Sequence, residues 1–520
     1  MTYASTIALL IAAATPGAAQ VANPVARTTD PGDRAVMAEA ASAVASRTPD
    51  IARLDAVLAK LPRPTPLRGM VQTVRAGVLA NAKDPAPAVA AVEEALRLLP
   101  DDPRPKLVAV GIFTFAGSPQ RAADLWMLAS RESPDFARMS DRYLMTALVG
   151  RLTDIGDRVR ADRISARLDE IGFSAGLAPE RSTGALARTR EAVRSQRESE
   201  ALLSVTAIGD PEDLLTLFID RSYSMLWPRI TEWAGPDLAA QSRRYLEELR
   251  GDWAAADNFE TATPYARELA SLEAYAAVDA LFLQMFDRLR PGAELEGVEF
   301  LAPIVARSLA ILGRGAEARA LLAKVAAAMP DDYGANALNI DGAYVTLATI
   351  QTDWPQVVTR ANTFLARAKN LGNDVNTSAV IQIQAWRACA LWRTVRTAEA
   401  QQATAEVLLA EAVAPNSVMN MHLCRGDSGA ARALIIARLA DETTRGWALR
   451  FAQPVRDKIP TPLELLMKPV AQAVRTAPDV VAAANRSGRV LLQPVNATLP
   501  NGFDPYRAPP TSTPVDPNTI

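Results

Sequence analysis

Small residues return at a fixed spacing along this chain, and each time a proline closes the pattern. In PAPAVAAVEEALRLLPDD the set is Ala88, Val92, Ala95 and Pro100; in SPQRAADLWMLASRESPD it is Ala122, Trp126, Ala129 and Pro134. The two prolines are 34 residues apart. Ala403, Val407, Ala410 and Pro415 repeat the pattern, and Ala318, Leu322, Val325 and Pro330 repeat it with valine for the second alanine. On an α-helix, residues i, i+4 and i+7 share one face. Small side chains there let a neighbouring helix come close, and the bulky residue between them fills the groove. Proline then stops the helix and opens the next turn. A hairpin of two such helices leaves an apolar face bare, and stacking hairpin on hairpin covers it.

Composition agrees with that reading. Alanine makes up about a fifth of the 520 residues and aromatics only 6%. Alanine is the best helix former, whereas strands favour β-branched and aromatic residues, so the chain is expected to be all-α. One segment, RVLLQPV at 489–495, reads as the sole candidate strand. Hydrophobic residues at 49% rule out a disordered chain. Lys+Arg 56 against Asp+Glu 58 argues against a nucleic-acid binder and a polybasic membrane anchor. A single histidine, His422, and only two cysteines, Cys389 and Cys424, nearly exclude by count a multi-histidine zinc site, a cysteine cluster and a serine-histidine-aspartate triad.

The spacing and the 34-residue period resemble the second helix of a tetratricopeptide repeat. The first-helix pattern departs from that family: before Ala122 the chain offers Lys106, Ala109, Val110 and Phe113. The resemblance is to degenerate tetratricopeptide-like repeats, clearest over 66–135 and 299–415, and generic helical hairpins stay open. It implies an α-α superhelix of stacked antiparallel hairpins. Helix pairs are predicted at 66–81/85–98, 104–116/118–131, 135–151/156–171, 299–313/315–328, 335–350/353–369, 376–396/397–413 and 416–425/428–441. The expected layout is an array over 34–199, an irregular helical middle at 200–295 punctuated by Pro211, Pro228, Pro236, Pro264 and Pro291, a second array over 296–453, and a helical cap at 454–494 with Thr461 or Asp479 as a cap residue.

Both ends read differently. Residues 1–19 resemble a secretory signal: Ile7–Ala14 is apolar but too short to cross a bilayer, and Gly17-Ala18-Ala19 suits cleavage near Ala19, although no Lys or Arg precedes the run. Residues 20–33 read as a linker and 495–520 as a proline-rich disordered tail. A periplasmic or secreted protein without a membrane-spanning helix is expected. If the chain is exported, Cys389 and Cys424, on first helices of adjacent hairpins, suit a disulfide; two buried thiols are the alternative.

Other motifs have plainer readings. Arg250-Gly251-Asp252 and Arg425-Gly426-Asp427 look like inter-helix punctuation rather than adhesion sequences. His422, between Met419, Met421 and Cys424, reads as a helix-end residue rather than a copper ligand. The acidic pairs Glu93-Glu94, Glu247-Glu248 and Asp101-Asp102 read as solvated faces. Arg197-Glu198-Ser199 matches the Glu-Ser pair of lytic transglycosylases but lacks that family's surrounding residues. Arginine outnumbers lysine 49 to 7.

No catalytic residue, metal ligand or cofactor cradle is predicted. The expected function is a non-enzymatic scaffold that holds a protein or peptide of the cell envelope in a concave groove. Register places Arg104, Leu107, Thr114 and Phe115 on that surface. Two alternatives stand: an enzyme of cell-wall polysaccharide, which would set a carboxylate among Trp227, Trp233 or Trp253, and a structural part of an envelope assembly, which would expose apolar residues on outer helices.

Overall fold

The computed structural model describes residues 30–507 except 45–48, 81–83, 174–175, 291–294, 331–332, 373–374, 456–458, 493, 496 and 497. Among them the protein is all-α, and the only β contact is a single antiparallel bridge between Asp220 and Gly488. No described helix is long and apolar enough to cross a membrane. The signal at 1–19, most of the 20–33 linker and the end of the tail lie outside the described residues. The chain forms two compact units, Met1–Phe173 and Ser174–Ile520. The boundary expected at 199–200 instead falls inside the second.

Unit 1 contains α1 (Pro31–Val44), α2 (Ile51–Ala59), α3 (Pro66–Leu79), α4 (Ala86–Leu98), α5 (Pro103–Phe115), α6 (Pro119–Glu132), the single turn α7 (Pro134–Ala137), α8 (Arg142–Asp154) and α9 (Arg158–Glu170). Helices α3/α4, α5/α6 and α8/α9 pair as hairpins, and the first helices α3, α5 and α8 also touch in succession. That is solenoid stacking. Ala88, Ala95, Ala122 and Ala129 are fully buried, with Val92 and Trp126 between them. Close approach is explicit at Gly69, where a Cβ would come within 2.9 Å of Leu98 and Leu99. Asp50, Thr65, Asp102, Asp141 and Asp157 cap helices by accepting backbone N–H bonds, and Pro66, Pro103 and Pro119 occupy first turns, where a missing N–H costs nothing. The helix expected over 135–151 is broken in two, because Asp141 starts a new one: the N–H of Leu144 donates to it at 2.8 Å.

Unit 2 opens with α10 (Ala178–Arg194), α11 (Glu198–Ser204), α12 (Pro211–Ile219), α13 (Trp227–Ala234) and α14 (Ala239–Ala256), interrupted by 3-10 turns at Val205–Ala207 and Arg221–Leu226. Five hairpins follow: α15 (Phe259–Ser271) with α16 (Tyr275–Phe282), α17 (Val298–Ile311) with α18 (Gly315–Ala328), α19 (Leu338–Ile350) with α20 (Trp354–Leu371), α21 (Thr377–Arg393) with α22 (Thr397–Leu408), and α23 (Pro415–Arg425) with α24 (Ser428–Ala440). Their first helices touch in order, α15 to α17 to α19 to α21 to α23. Pro264 lies within α15 rather than at its end, and Ala410 lies beyond α22, which stops at Leu408.

The end of the chain then turns back. Helix α25 (Arg445–Ala452) packs on α12, α26 (Pro462–Arg475) crosses the first helices α19 and α23, and α27 (Pro478–Ser487) lies on α24 and α25. Behind α27, the backbone N–H of Arg489 donates to the Ile219 carbonyl at 2.9 Å and its guanidinium to the Phe218 carbonyl at 2.7 Å. The same guanidinium lies over the rings of Phe218 and Trp227, 3.8 and 4.1 Å from their centroids. Gly488 is required at this closure, since a Cβ there would collide with the Ile219 carbonyl. Unit 2 therefore fastens its last helices to its first ones.

Three expectations need correction. RVLLQPV forms no strand: after the bridge at Gly488 the described backbone is irregular, with Leu491 N–H bonded to the Gln453 side chain rather than to a second strand. Tail residues 498–507 are ordered. Arg250, itself buried, donates to the carbonyls of Asp504 and Arg507 at 3.0 Å, Tyr265 Oη donates to that of Pro505 at 3.2 Å, and Phe503 is buried beneath the Arg250 guanidinium. The prolines that prevent helix do not prevent docking, because these side chains satisfy the carbonyls. Gly251 sits inside α14 and is not a turn; at 425–427 the punctuation is as expected, with Gly426 at φ +81° and Asp427 accepting from Ala430 N–H. Thr461 caps α26, whereas Asp479 lies within the first turn of α27.

Candidate functional site

The first helices of unit 2 carry a groove of about 370 Å³ between α15, α17, α19 and α21. Its floor is apolar: Pro303 and Ile304 from α17, Ala343 and Leu347 from α19, and Ile383 from α21. Phe300 stands 43% exposed beside it. Over this floor extend Arg267 from α15 and Arg307 from α17, both exposed and neither paired with a carboxylate among the described residues. The wall at α21 is Gln382, whose Oε1 accepts from Ser417 at 3.2 Å and Asn420 at 3.4 Å, while its buried Nε2 has no partner.

One carboxylate lines the groove. Glu299 is buried, and burial pushes its carboxyl up; Tyr333 Oη donates to it at 2.9 Å and Asn336 Nδ2 at 3.1 Å. Both oxygens are thus engaged in tying the 3-10 turn Gly334–Ala337 to α17. The tryptophans that a polysaccharide enzyme would set around an acid are engaged elsewhere. Trp227 lies beneath Arg489, Trp233 beneath Arg244, and Trp253 packs on Tyr265 and Phe282.

Of the four residues that register places on the binding surface, two lie in the core and two are part-exposed. Leu107 and Thr114 are buried, Thr114 Oγ1 donating to the Val110 carbonyl, and Arg104 is ion-paired to Asp102; Phe115 is half-buried. The reason is the sequence of α5, PRPKLVAVGIFTF, which carries no polar stripe. A helix apolar on all sides is a core helix, and even Lys106 is buried there in a pair with Glu132.

Cys389 and Cys424 stand on the neighbouring first helices α21 and α23 with Cα atoms 6.1 Å apart and their sulfurs within covalent reach. His422, in the last turn of α23, is buried; burial lowers its pKa, which favours the neutral ring, and Asp427 at 3.9 Å is too far to hydrogen-bond it. Met419 and Met421 are buried packing residues. Among the described residues no three His, Cys, Asp or Glu side chains gather as a metal site. Five of the six paired acids are ion-paired or capping: Glu93 to Arg121, Glu94 to Arg68, Glu247 to Arg250, Glu248 to Arg181, and Asp102 at the start of α5; Asp101 is exposed.

A feature the sequence reading missed lies where α10, α12 and α14 meet. Asp213 and Asp210 lie half-buried side by side at the start of α12; desolvation first, then the Asp210 charge, pushes the Asp213 carboxyl up to about 6. Ser182 Oγ donates to Asp213 at 3.2 Å and accepts the Asp210 N–H at 2.8 Å. No protein-family model matches this chain, and no curated protein matches it.

Proposed function

We propose that the protein is an exported, tetratricopeptide-like scaffold without chemistry of its own, and that the groove of unit 2 receives a segment of a partner protein of the cell envelope. The observation that carries this reading is the pair Arg267 and Arg307. Two neighbouring first helices hold out guanidinium groups that no described carboxylate neutralises, over a floor of proline and aliphatic side chains. Such a surface suits a segment with an apolar residue for the floor and a carboxylate for the rim, which a guanidinium binds through two parallel hydrogen bonds. The donor left unpaired at Gln382 Nε2 offers a contact for a carbonyl. The groove's helices are fixed by packing, so little ordering cost falls on the protein side.

Affinity capture from envelope extracts with the full mature chain tests the reading. A defined partner should be retained by the wild type and lost with Arg267→Glu/Arg307→Glu, while circular dichroism stays unchanged. Capture indifferent to that double change overturns it. Export is tested separately by fusing residues 1–25 to a periplasmic reporter; retention in the cytoplasm refutes it.

A further inference from the structure

The second helices of two hairpins of unit 1 hold another groove, which the proposed scaffold reading does not use. It lies between α6 and α9, has a volume of about 540 Å³, and is floored by Met127 and Leu128 from one helix and Val159 and Ile164 from the other. Leu128 and Val159 are each 43% exposed, and Ile155, just before α9, is 50% exposed. Apolar side chains this open, gathered in one furrow, mark an interaction surface more than scattered ones do.

Charge gives the furrow a sign. Its two carboxylates, Asp124 and Asp157, are both held by Arg160, at 3.0 and 2.6 Å. Arg131 and Arg163 remain, exposed, lining the same furrow and without a carboxylate among the described residues. The two helices are locked side by side: Arg167 of α9 donates to the Ser130 carbonyl of α6 at 2.6 Å. Their backbone donors and acceptors are used within the helices, so an extended peptide laid here would find nothing to pair with. A third helix brings its own hydrogen bonds and fits the hollow between two packed ones.

We infer that the α6–α9 furrow of unit 1 is a docking surface for an acidic amphipathic helix of a partner protein, whose apolar stripe covers Leu128 and Val159 and whose flanking carboxylates meet Arg131 and Arg163. It is independent of the unit 2 groove.

The test uses the full mature chain and two synthetic helices of about 18 residues, long enough to span the furrow. Both carry leucines on one stripe; one is flanked by glutamates and the other by lysines. In fluorescence anisotropy the glutamate peptide should bind at least about tenfold more tightly than the lysine peptide, and more weakly as salt rises. Leu128→Lys/Val159→Lys should abolish its binding, Arg131→Glu/Arg163→Glu should reverse the preference, and Arg267→Glu/Arg307→Glu should leave it unchanged. Equal binding of both peptides, no binding of either, or loss of binding only in the Arg267/Arg307 variant overturns the inference. So does a dimer of the chain that Leu128→Lys dissolves, because the furrow would then belong to a second copy.

Discussion

At the scale of single residues, the buried alanines set how closely the hairpins approach. Ala95 and Ala129 have no exposed surface, so leucine at either must push a neighbouring helix outward. Each change should lower stability by about 1–3 kcal/mol, read as an earlier urea midpoint, while Ala90→Leu, on the exposed side of α4, should be near neutral. Asp213 predicts a pH dependence of definite sign. Its folded pKa of about 6 lies above the ordinary 3.8, so the fold holds a proton that the unfolded chain releases. The contribution is fully favourable below about pH 4 and is lost as pH rises through about 6. Asp213→Asn keeps an acceptor for Ser182 and should raise stability at pH 7 by about 1–2 kcal/mol, with no gain at pH 4 in a thermal melt. The packing alanines were legible because size and period coincide at those positions. The groove arginines were not, because an exposed arginine looks the same wherever it points. Their signal was nevertheless present, as a shared A-R-x-L-A-x-L at 266–272 and 306–312, which places Arg267 and Arg307 in matching positions of neighbouring repeats.

At the scale of elements, helix boundaries followed local chemistry that the sequence displays: aspartate and threonine caps, prolines in first turns, and Gly426 in the left-handed region. Helix surroundings were less legible. Register alone put Leu107 and Thr114 on an open face, whereas the all-apolar sequence of α5 places them in the core. The return of α25–α27 and of the described residues after Gly488 depends on contacts across more than 200 positions, such as Arg250 to Asp504 and Arg489 to Phe218, which no local pattern encodes. Gly488→Ala should open this closure, read as faster amide exchange in α12 and α25 with α17–α22 unaffected. The cysteine pair makes a further prediction. A bond between Cys389 and Cys424 would close a 35-residue span and add about 3–4 kcal/mol in the chain-entropy model. Non-reducing peptide mapping of protein prepared under oxidising conditions should recover the two joined; two free thiols would remove the staple.

At the scale of the whole molecule, contacts divide the chain at Phe173–Ser174 into two units, each with its own stacked hairpins. Calorimetry should resolve two unfolding steps, as units with separate cores melt separately. Reductant should lower one of them only, since both cysteines belong to unit 2. The all-α class and the repeat character were legible from alanine content and period, while the division into units was not, because the linking stretch carries none of the proline clustering that marks both termini. Closure of unit 2 has one more consequence. An open solenoid can lengthen or shorten by one hairpin at little cost, but here the α12–α25 and Ile219–Arg489 contacts join the two ends. Removing or duplicating any one hairpin between α15 and α24 would leave those ends out of reach of each other, so natural variants of this architecture should differ in loop length and surface residues while the repeat count of the second unit stays constant.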